Sequence, residues 1–273
     1  MNDSRLRPFL AVDIGNSRTK FGVFAVSEIT NPGQLPACIA SFAVPHGDEV
    51  PWQSLQEAVV GISDVLPRTV VAGVNPRGLE TLLTHWRQTG WPAPEIISTY
   101  TDLPLRIELE APERVGMDRL LTAVAGNVLR PTGRPLVVID SGTATTVDLV
   151  SSSGAFRGGT ILPGFELAAR SLHHYTALLP LIGLDELPPE GPPPLGRSTR
   201  EAIESGVFWG QVGAVKELLR RLSAGLDAEP LVLLTGGAGA RLTPHLDLEH
   251  QWLPQLALQG LVLAARAHGE ANA

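Results

Sequence analysis

Two stretches of this chain are near-copies of each other. The first reads Phe9-Leu10-Ala11-Val12-Asp13-Ile14-Gly15-Asn16-Ser17-Arg18-Thr19-Lys20 and runs on into Phe21–Phe24. The second reads Pro135-Leu136-Val137-Val138-Ile139-Asp140-Ser141-Gly142-Thr143-Ala144-Thr145-Thr146 and runs on into Val147–Val150. Each is an apolar β-type run ending in Asp-x-Gly, followed by small polar residues and a second β-type run. The glycine frees the turn and lets backbone N–H groups approach phosphate oxygens, while a carboxylate at the strand end can hold a cation or its water shell. Either copy alone could be a plain turn, because Asn, Gly and Ser form turns and Thr favours strands. A plain turn accounts poorly for the same pattern twice. The repeat points to a duplicated α/β architecture that binds a Mg²⁺–nucleotide.

The pattern around the copies supports two lobes. Residues 8–14, 20–27 and 37–44 read as strands, 52–66 has helical spacing, and Arg68–Val74 reads as a buried strand. Gly78–Gln88 and Met117–Leu129 read as helices, the second stopped by Pro131 and Gly133. From Pro135 the strand–turn–strand pattern restarts, with a third strand at Phe156–Leu162 and a helix opened by Pro163-Gly164. Leu187–Gly196 holds five prolines and reads as a stiff loop. Thr199–Leu222 reads as a helix, Leu231–Leu234 as a strand and Leu256–Ala267 as a closing helix. The expected lobes are residues 1–130 and 131–273, around a central nucleotide cleft.

Composition bounds the partners. A chain of 273 residues that is 44% hydrophobic can bury a sizeable core. A net charge of -7 argues against a nucleic-acid surface. Cys38 stands alone, so no internal disulfide forms, and no Cys/His cluster has zinc spacing. The start Met1-Asn2-Asp3-Ser4-Arg5 lacks a signal-peptide core, and no apolar run reaches transmembrane length. The expectation is a cytoplasmic protein without a membrane partner.

Two further segments carry chemistry. Leu231-Val232-Leu233-Leu234-Thr235-Gly236-Gly237-Ala238-Gly239 is a glycine turn at a strand end, where a base and ribose could lie against the backbone. Pro112-Glu113-Arg114-Val115-Gly116-Met117-Asp118-Arg119-Leu120 sets a carboxylate beside a guanidinium at a helix start. That is either a surface pair with dipole benefit or a general base next to an anion-holding cation. The pair His173-His174 has no carboxylate or cysteine near it in sequence and reads as solvated or capping. Trp86, Trp209 and Trp252 read as packing or interface residues, and Gly206-Val207-Phe208-Trp209-Gly210 suits close helix packing at a dimer interface.

Asp13-x-Gly15-Asn16-Ser17, Gly116-Met117-Asp118-Arg119, Asp140-x-Gly142-Thr143-Ala144-Thr145, Gly158-Gly159-Thr160-Ile161-Leu162-Pro163-Gly164 and Thr235-Gly236-Gly237 occur in a diagnostic order. The chain thereby resembles the type III pantothenate kinases, of the actin/hexokinase/Hsp70-like ATPase superfamily, from about residue 8 to 265. The resemblance implies duplicated actin-like (ribonuclease H-like) lobes and ATP-dependent phosphorylation of pantothenate, the first step towards coenzyme A. It implies Asp118 as general base and Gly116, Met117, Asp118, Arg119 and Thr199 as pantothenate contacts. It also implies that Asp13, Ile14, Gly15, Asn16, Ser17, Arg18, Thr19 and Lys20 form the ATP phosphate loop, with Thr143 a further ATP contact. Asp140 matches a ligand of the monovalent cation, K⁺ or NH₄⁺, that acts beside Mg²⁺. A homodimer with the substrate pocket near its interface, and little inhibition by coenzyme A, are implied as well. Two positions depart from the pattern: Leu109 stands where many members carry an aromatic residue, and Ser17 replaces the commoner threonine. The alternatives are a kinase of another polar alcohol such as a sugar, a non-catalytic accessory protein, and an exopolyphosphatase-type phosphatase. Compactness counts against the first, the presence of Asp118 against the second, and the Gly116–Arg119 segment against the third.

Overall fold

A computed structural model of the chain describes residues 7–25 and 33–271. In chain order the elements are β1 Phe9–Ile14, β2 Arg18–Ala25, β3 Ala37–Pro45, α1 Trp52–Val60, β4 Arg68–Gly73, α2 Pro76–Trp86, β5 Glu95–Ile96, β6 Arg106–Ile107 and α3 Met117–Leu129. They continue as β7 Leu136–Ser141, β8 Ala144–Val150, β9 Ala155–Pro163, α4 Phe165–His174, α5 Thr199–Ser223, β10 Leu231–Thr235, α6 Gly239–Leu242, β11 Gln251–Trp252 and α7 Leu256–Ala271. The chain divides into two compact units, one running to Arg130 and taking in Gln255 onward, the other Pro131–Pro254.

The first unit has strand order β3-β2-β1-β4-β5, antiparallel on the β2–β3 side and parallel on the β4–β5 side. The second unit runs β9-β8-β7-β10-β11, with the same alternation of antiparallel and parallel neighbours. The repeat seen in sequence is therefore a repeat of topology. Central β1 is buried along its whole length, as a strand with a parallel partner and covered faces should be. Strand β3, at the edge, alternates between exposed and half-buried positions. The expected strand at 20–27 begins two residues earlier, and its residues 26 and 27 lie outside the described residues.

Helix starts follow their caps. Asn75 Oδ1 accepts the Gly78 N–H at 3.1 Å and Pro76 takes the first turn, so α2 begins two residues before the expected Gly78. Helix α1 stops at Val60, where Gly61 follows, rather than running to residue 66. The two-residue strands β5, β6 and β11 were not expected, because two residues carry no readable period.

Helix α7 corrects the expected lobe boundary at the C-terminus. The sequence reading runs the second lobe to residue 273, yet α7 packs on the first unit. The cause is contact rather than sequence position. A Cβ on Gly260 would strike the Leu121 carbonyl, so the backbones of α3 and α7 touch, and Leu258, Leu261, Val262, Ala264 and Ala265 are buried there. Arg68 ties the helix down by donating Nη2 to the Ala265 carbonyl at 2.8 Å while also pairing with Glu95 at 2.7 Å.

Each unit has its own core. Leu10, Val12, Ile14, Phe21, Leu55, Val71 and Leu82 fill the first, joined by Trp86, which meets Trp52 and Trp91 edge-on at 5.6 and 5.7 Å. Val137, Ile139, Val147, Phe165, Phe208, Val215 and Leu234 fill the second, with Trp209 and Trp252 packed against it. The proline loop has no regular structure but is pinned to α5: Trp209 Nε1 donates to the Pro192 carbonyl and Ser205 Oγ to the Pro194 carbonyl, both at 2.9 Å. Among the described residues no helix is long and apolar enough to cross a membrane.

Candidate functional site

In the first unit residues 13–20, expected as the phosphate loop, form the end of the β1–β2 hairpin. Asp13, 5% exposed, lies opposite Lys20 in the ladder, and Ile14 opposite Thr19. Gly15 closes the turn by donating its N–H to the Arg18 carbonyl at 3.0 Å, which leaves Asn16, Ser17 and Arg18 exposed at the tip. The neighbouring strand end is joined to it: Val74 N–H donates to the Ile14 carbonyl at 3.0 Å.

The Gly116–Arg119 segment reaches the same strand end. Gly116 precedes α3, and Asp118 sits in its first turn with Oδ1 accepting the Arg119 N–H at 2.9 Å. A Cβ on Gly116 would lie 2.5 Å from Asp118 Oδ1 and 3.7 Å from Val74 Cγ1. The Asp118 carboxylate folds back over Gly116, and Val74 beside Gly116 is tied to the hairpin through Ile14. Met117 is buried beneath, while Asp118 and Arg119 are half-buried. A carboxylate in the first turn of a helix can take a proton from a hydroxyl held beside it. Leu109 is half-buried in the connection between β6 and α3.

Beside the hairpin, still within the first unit, is a cavity of about 620 Å³ lined by Thr19, His46, Asn75, Arg77, Thr81 and His85 among others. His46 and Asn75 are absent from the sequence reading of the site. Asn75 had a signal, since Asn-Pro before an apolar helical stripe marks a cap. His46 had none, because only the fold brings the end of β3 against the hairpin.

In the second unit Asp140 is the penultimate residue of β7, opposite Thr146 on one side and Thr235 on the other. Gly142 N–H donates to the Ala144 carbonyl and Gly164 N–H to the Thr143 carbonyl, both at 3.0 Å, with the Thr143 side chain exposed. Gly236, at φ +89°, comes so close that a Cβ would collide with Asp140 Oδ1 and the Ser141 carbonyl. No other residue type fits there without strain, so the glycine turn after β10 and the Asp140 turn are built as one piece. Thr199 is exposed at the first position of α5, where Ser198 Oγ accepts the Glu201 N–H at 3.2 Å. Its neighbour Arg200 pairs with Glu186 at 2.6 Å, whose carboxyl is held below its ordinary range by the Gly183 N–H and then by Arg200.

The histidine pair behaves as expected of solvated residues: His173 Nδ1 bonds the Leu179 carbonyl at 2.7 Å and His174 meets Tyr175 edge-on. Among the described residues no three His, Cys, Asp or Glu side chains gather to hold a metal ion. Any cation at Asp13 or Asp140 would complete its shell with carbonyl, phosphate or water oxygens, as hard cations readily do.

The profile of the type III pantothenate kinase family matches residues 9–221. The type III pantothenate kinase of Gluconobacter oxydans is 36% identical over 94% of this chain and 92% of its own length. That of Acidiphilium cryptum is 35% identical over 94% and 93%. Among solved structures, a Campylobacter jejuni protein described as a Baf family transcriptional activator superposes with a TM-score of 0.56 at 19% identity, over 96% of this chain and 99% of that one. The activator of 2-hydroxyisocaproyl-CoA dehydratase from Clostridium difficile, solved with ADPNP, gives 0.50 at 14% identity over 97% of both chains. The fold is that of the actin- and hexokinase-like ATPases.

Proposed function

The chain belongs to the type III pantothenate kinase family, and from that premise we infer that it transfers the γ-phosphoryl group of ATP to the primary hydroxyl of pantothenate. The product, 4′-phosphopantothenate, opens the route to coenzyme A. The observation that carries this reading is the family match over residues 9–221, which takes in the Asp13–Lys20 hairpin and the Gly116–Arg119 segment, with Gly116 beside Val74, the residue whose N–H is tied to Ile14 of the hairpin. Phosphoryl transfer asks little covalent chemistry of a protein, only in-line positioning and neutralised phosphate charge.

In this reading residues 13–20 hold the triphosphate through backbone N–H groups and the Lys20 ammonium, and Thr143 is a further ATP contact. Asp118 Oδ takes the proton of the attacking hydroxyl. Arg119 holds the pantothenate carboxylate, with Gly116, Met117 and Thr199 as further contacts. Such substrates are those of the cytoplasm, where we place the enzyme. A coupled assay of ADP release, with pantothenate present or withheld, tests the reading. Release that depends on pantothenate supports it, and release indifferent to pantothenate contradicts it.

Mg²⁺ beside the phosphates and K⁺ or NH₄⁺ at Asp140 are part of the proposal. The residues fit: the Asp140 carboxylate and the Ser141 carbonyl converge beside Gly236 and are hard oxygen donors of the kind such a cation takes. The cations would neutralise charge on the phosphates. Asp140→Asn, which keeps shape but loses charge, should raise the K⁺ concentration for half-maximal activity several-fold. Superimposable K⁺ titrations of variant and parent would reject this role.

We also propose a homodimer. Four apolar side chains, Leu172, Tyr175, Leu178 and Leu181, are exposed at and just beyond the end of α4, with Tyr175 at 82% and Leu178 at 91%. Concentrated apolar exposure on this scale marks an interaction surface. Tyr175→Glu together with Leu178→Glu should convert the sedimenting species from dimer to monomer. A sedimentation coefficient equal to the parent's would place the interface elsewhere.

A further inference from the structure

The residues that hold the two hairpin turns differ between the units in a way the duplication makes visible. Strands β3 and β9 each pair antiparallel with the second strand of their hairpin, and both end in proline, Pro45 and Pro163. The residue after each proline reaches back to its hairpin. In the second unit that residue is Gly164, whose N–H donates to the Thr143 carbonyl. In the first unit it is His46, whose N–H donates to the Ser17 carbonyl at 3.0 Å. His46 then adds a second tie, its Nε2 lying 2.9 Å from the Gly15 carbonyl.

The geometry fixes the chemistry of that second tie. A carbonyl only accepts, so Nε2 carries the hydrogen. The Asn75 amide nitrogen, 3.5 Å from Nε2, is then a packing neighbour, because the Asn75 oxygen is already spent on the Gly78 N–H. The ring rests against Gly78, where a Cβ would come within 3.4 Å of Cε1. The tight contact of that Cβ would be with Ile14 Cγ2, so the bare backbone at 78 accommodates Ile14 and leaves the ring in ordinary contact.

We propose that His46 is a positioning residue for the phosphate loop. A trans peptide is planar, with its C=O and N–H pointing in opposite directions. Holding the Gly15 and Ser17 carbonyls on the His46 side turns the N–H groups of Asn16 and Arg18 to the other side. Those two donors are thereby aimed before the anion arrives, which lowers the ordering cost of binding. The inference rests on the reading of residues 13–20 as the triphosphate cradle.

The test is calorimetric titration of Mg²⁺–adenylyl imidodiphosphate into the parent, His46→Ala and His46→Gln, with melting temperatures and both Michaelis constants measured alongside. One exposed hydrogen bond is worth about a fivefold change. His46→Ala should bind the analogue about fivefold more weakly and show a raised KM for ATP, with KM for pantothenate and melting temperature unchanged. His46→Gln, which keeps an N–H donor at similar reach, should recover most of the loss. Parental affinity in His46→Ala, or equal loss in His46→Gln, would overturn the role while leaving the kinase reading intact. Loss of binding with a lowered melting temperature would mark a merely structural residue and also overturn it. A parent that fails to bind the analogue would overturn both.

Discussion

Asp118→Asn should turn over pantothenate roughly 100-fold or more slowly than the parent, at an unchanged melting temperature. The substitution is close to isosteric, and the amide oxygen can still accept the Arg119 N–H that Asp118 Oδ1 now takes at 2.9 Å. The helix behind it is secured by its own burial, with Leu120, Leu121, Ala123 and Ala125 fully enclosed. Loss of one negative charge at a helix start costs about 0.3–1 kcal/mol, too little to unfold a domain. Proton affinity is what disappears, because an amide cannot accept the hydroxyl proton. Near-parental turnover would remove Asp118 as the base.

Arg119→Ala should weaken pantothenate binding about 10- to 100-fold, read by titration calorimetry in the presence of a non-hydrolysable ATP analogue. A hydrogen bond to a charged group contributes about 1.5–3 kcal/mol, and about 1.4 kcal/mol is a factor of ten. Affinity for the ATP analogue itself should stay at the parental value, since the proposed phosphate loop is a separate hairpin. Thr122 Oγ1 bonds the Arg119 carbonyl, a backbone contact that alanine preserves, so the first turn of α3 keeps its shape. Unchanged pantothenate affinity would take away the electrostatic case for an acidic substrate and favour a neutral alcohol such as a sugar.

The order of strands and the repeat were legible because both copies carry long apolar runs with an acid and a glycine at their ends. Helix α3 was legible to the residue, its stripe of Leu120, Leu121, Val124 and Val128 being stopped by Pro131. The place of α7 was not, because the apolar run Leu256–Ala265 reads only as buried and names no partner. The Leu121 carbonyl that Gly260 makes room for belongs to a distant part of the chain. The site was partly legible. Asp13, Asp118 and Asp140 stand out by their neighbours in sequence, whereas the contacts that seat them do not. Gly236 shows why: its glycine is visible, but the reason for it is the Asp140 carboxylate on another strand. His46 illustrates the same limit, since a histidine after a proline carries no pattern until β3 lies beside the hairpin.

The most direct measurement is the fate of the γ-phosphoryl group. ATP labelled in that group should pass its label to pantothenate as a phosphate monoester on the primary hydroxyl, in step with ADP release and only while K⁺ or NH₄⁺ is supplied. Label recovered as inorganic phosphate at a rate indifferent to pantothenate, or carried by a sugar in preference to pantothenate, would contradict the account.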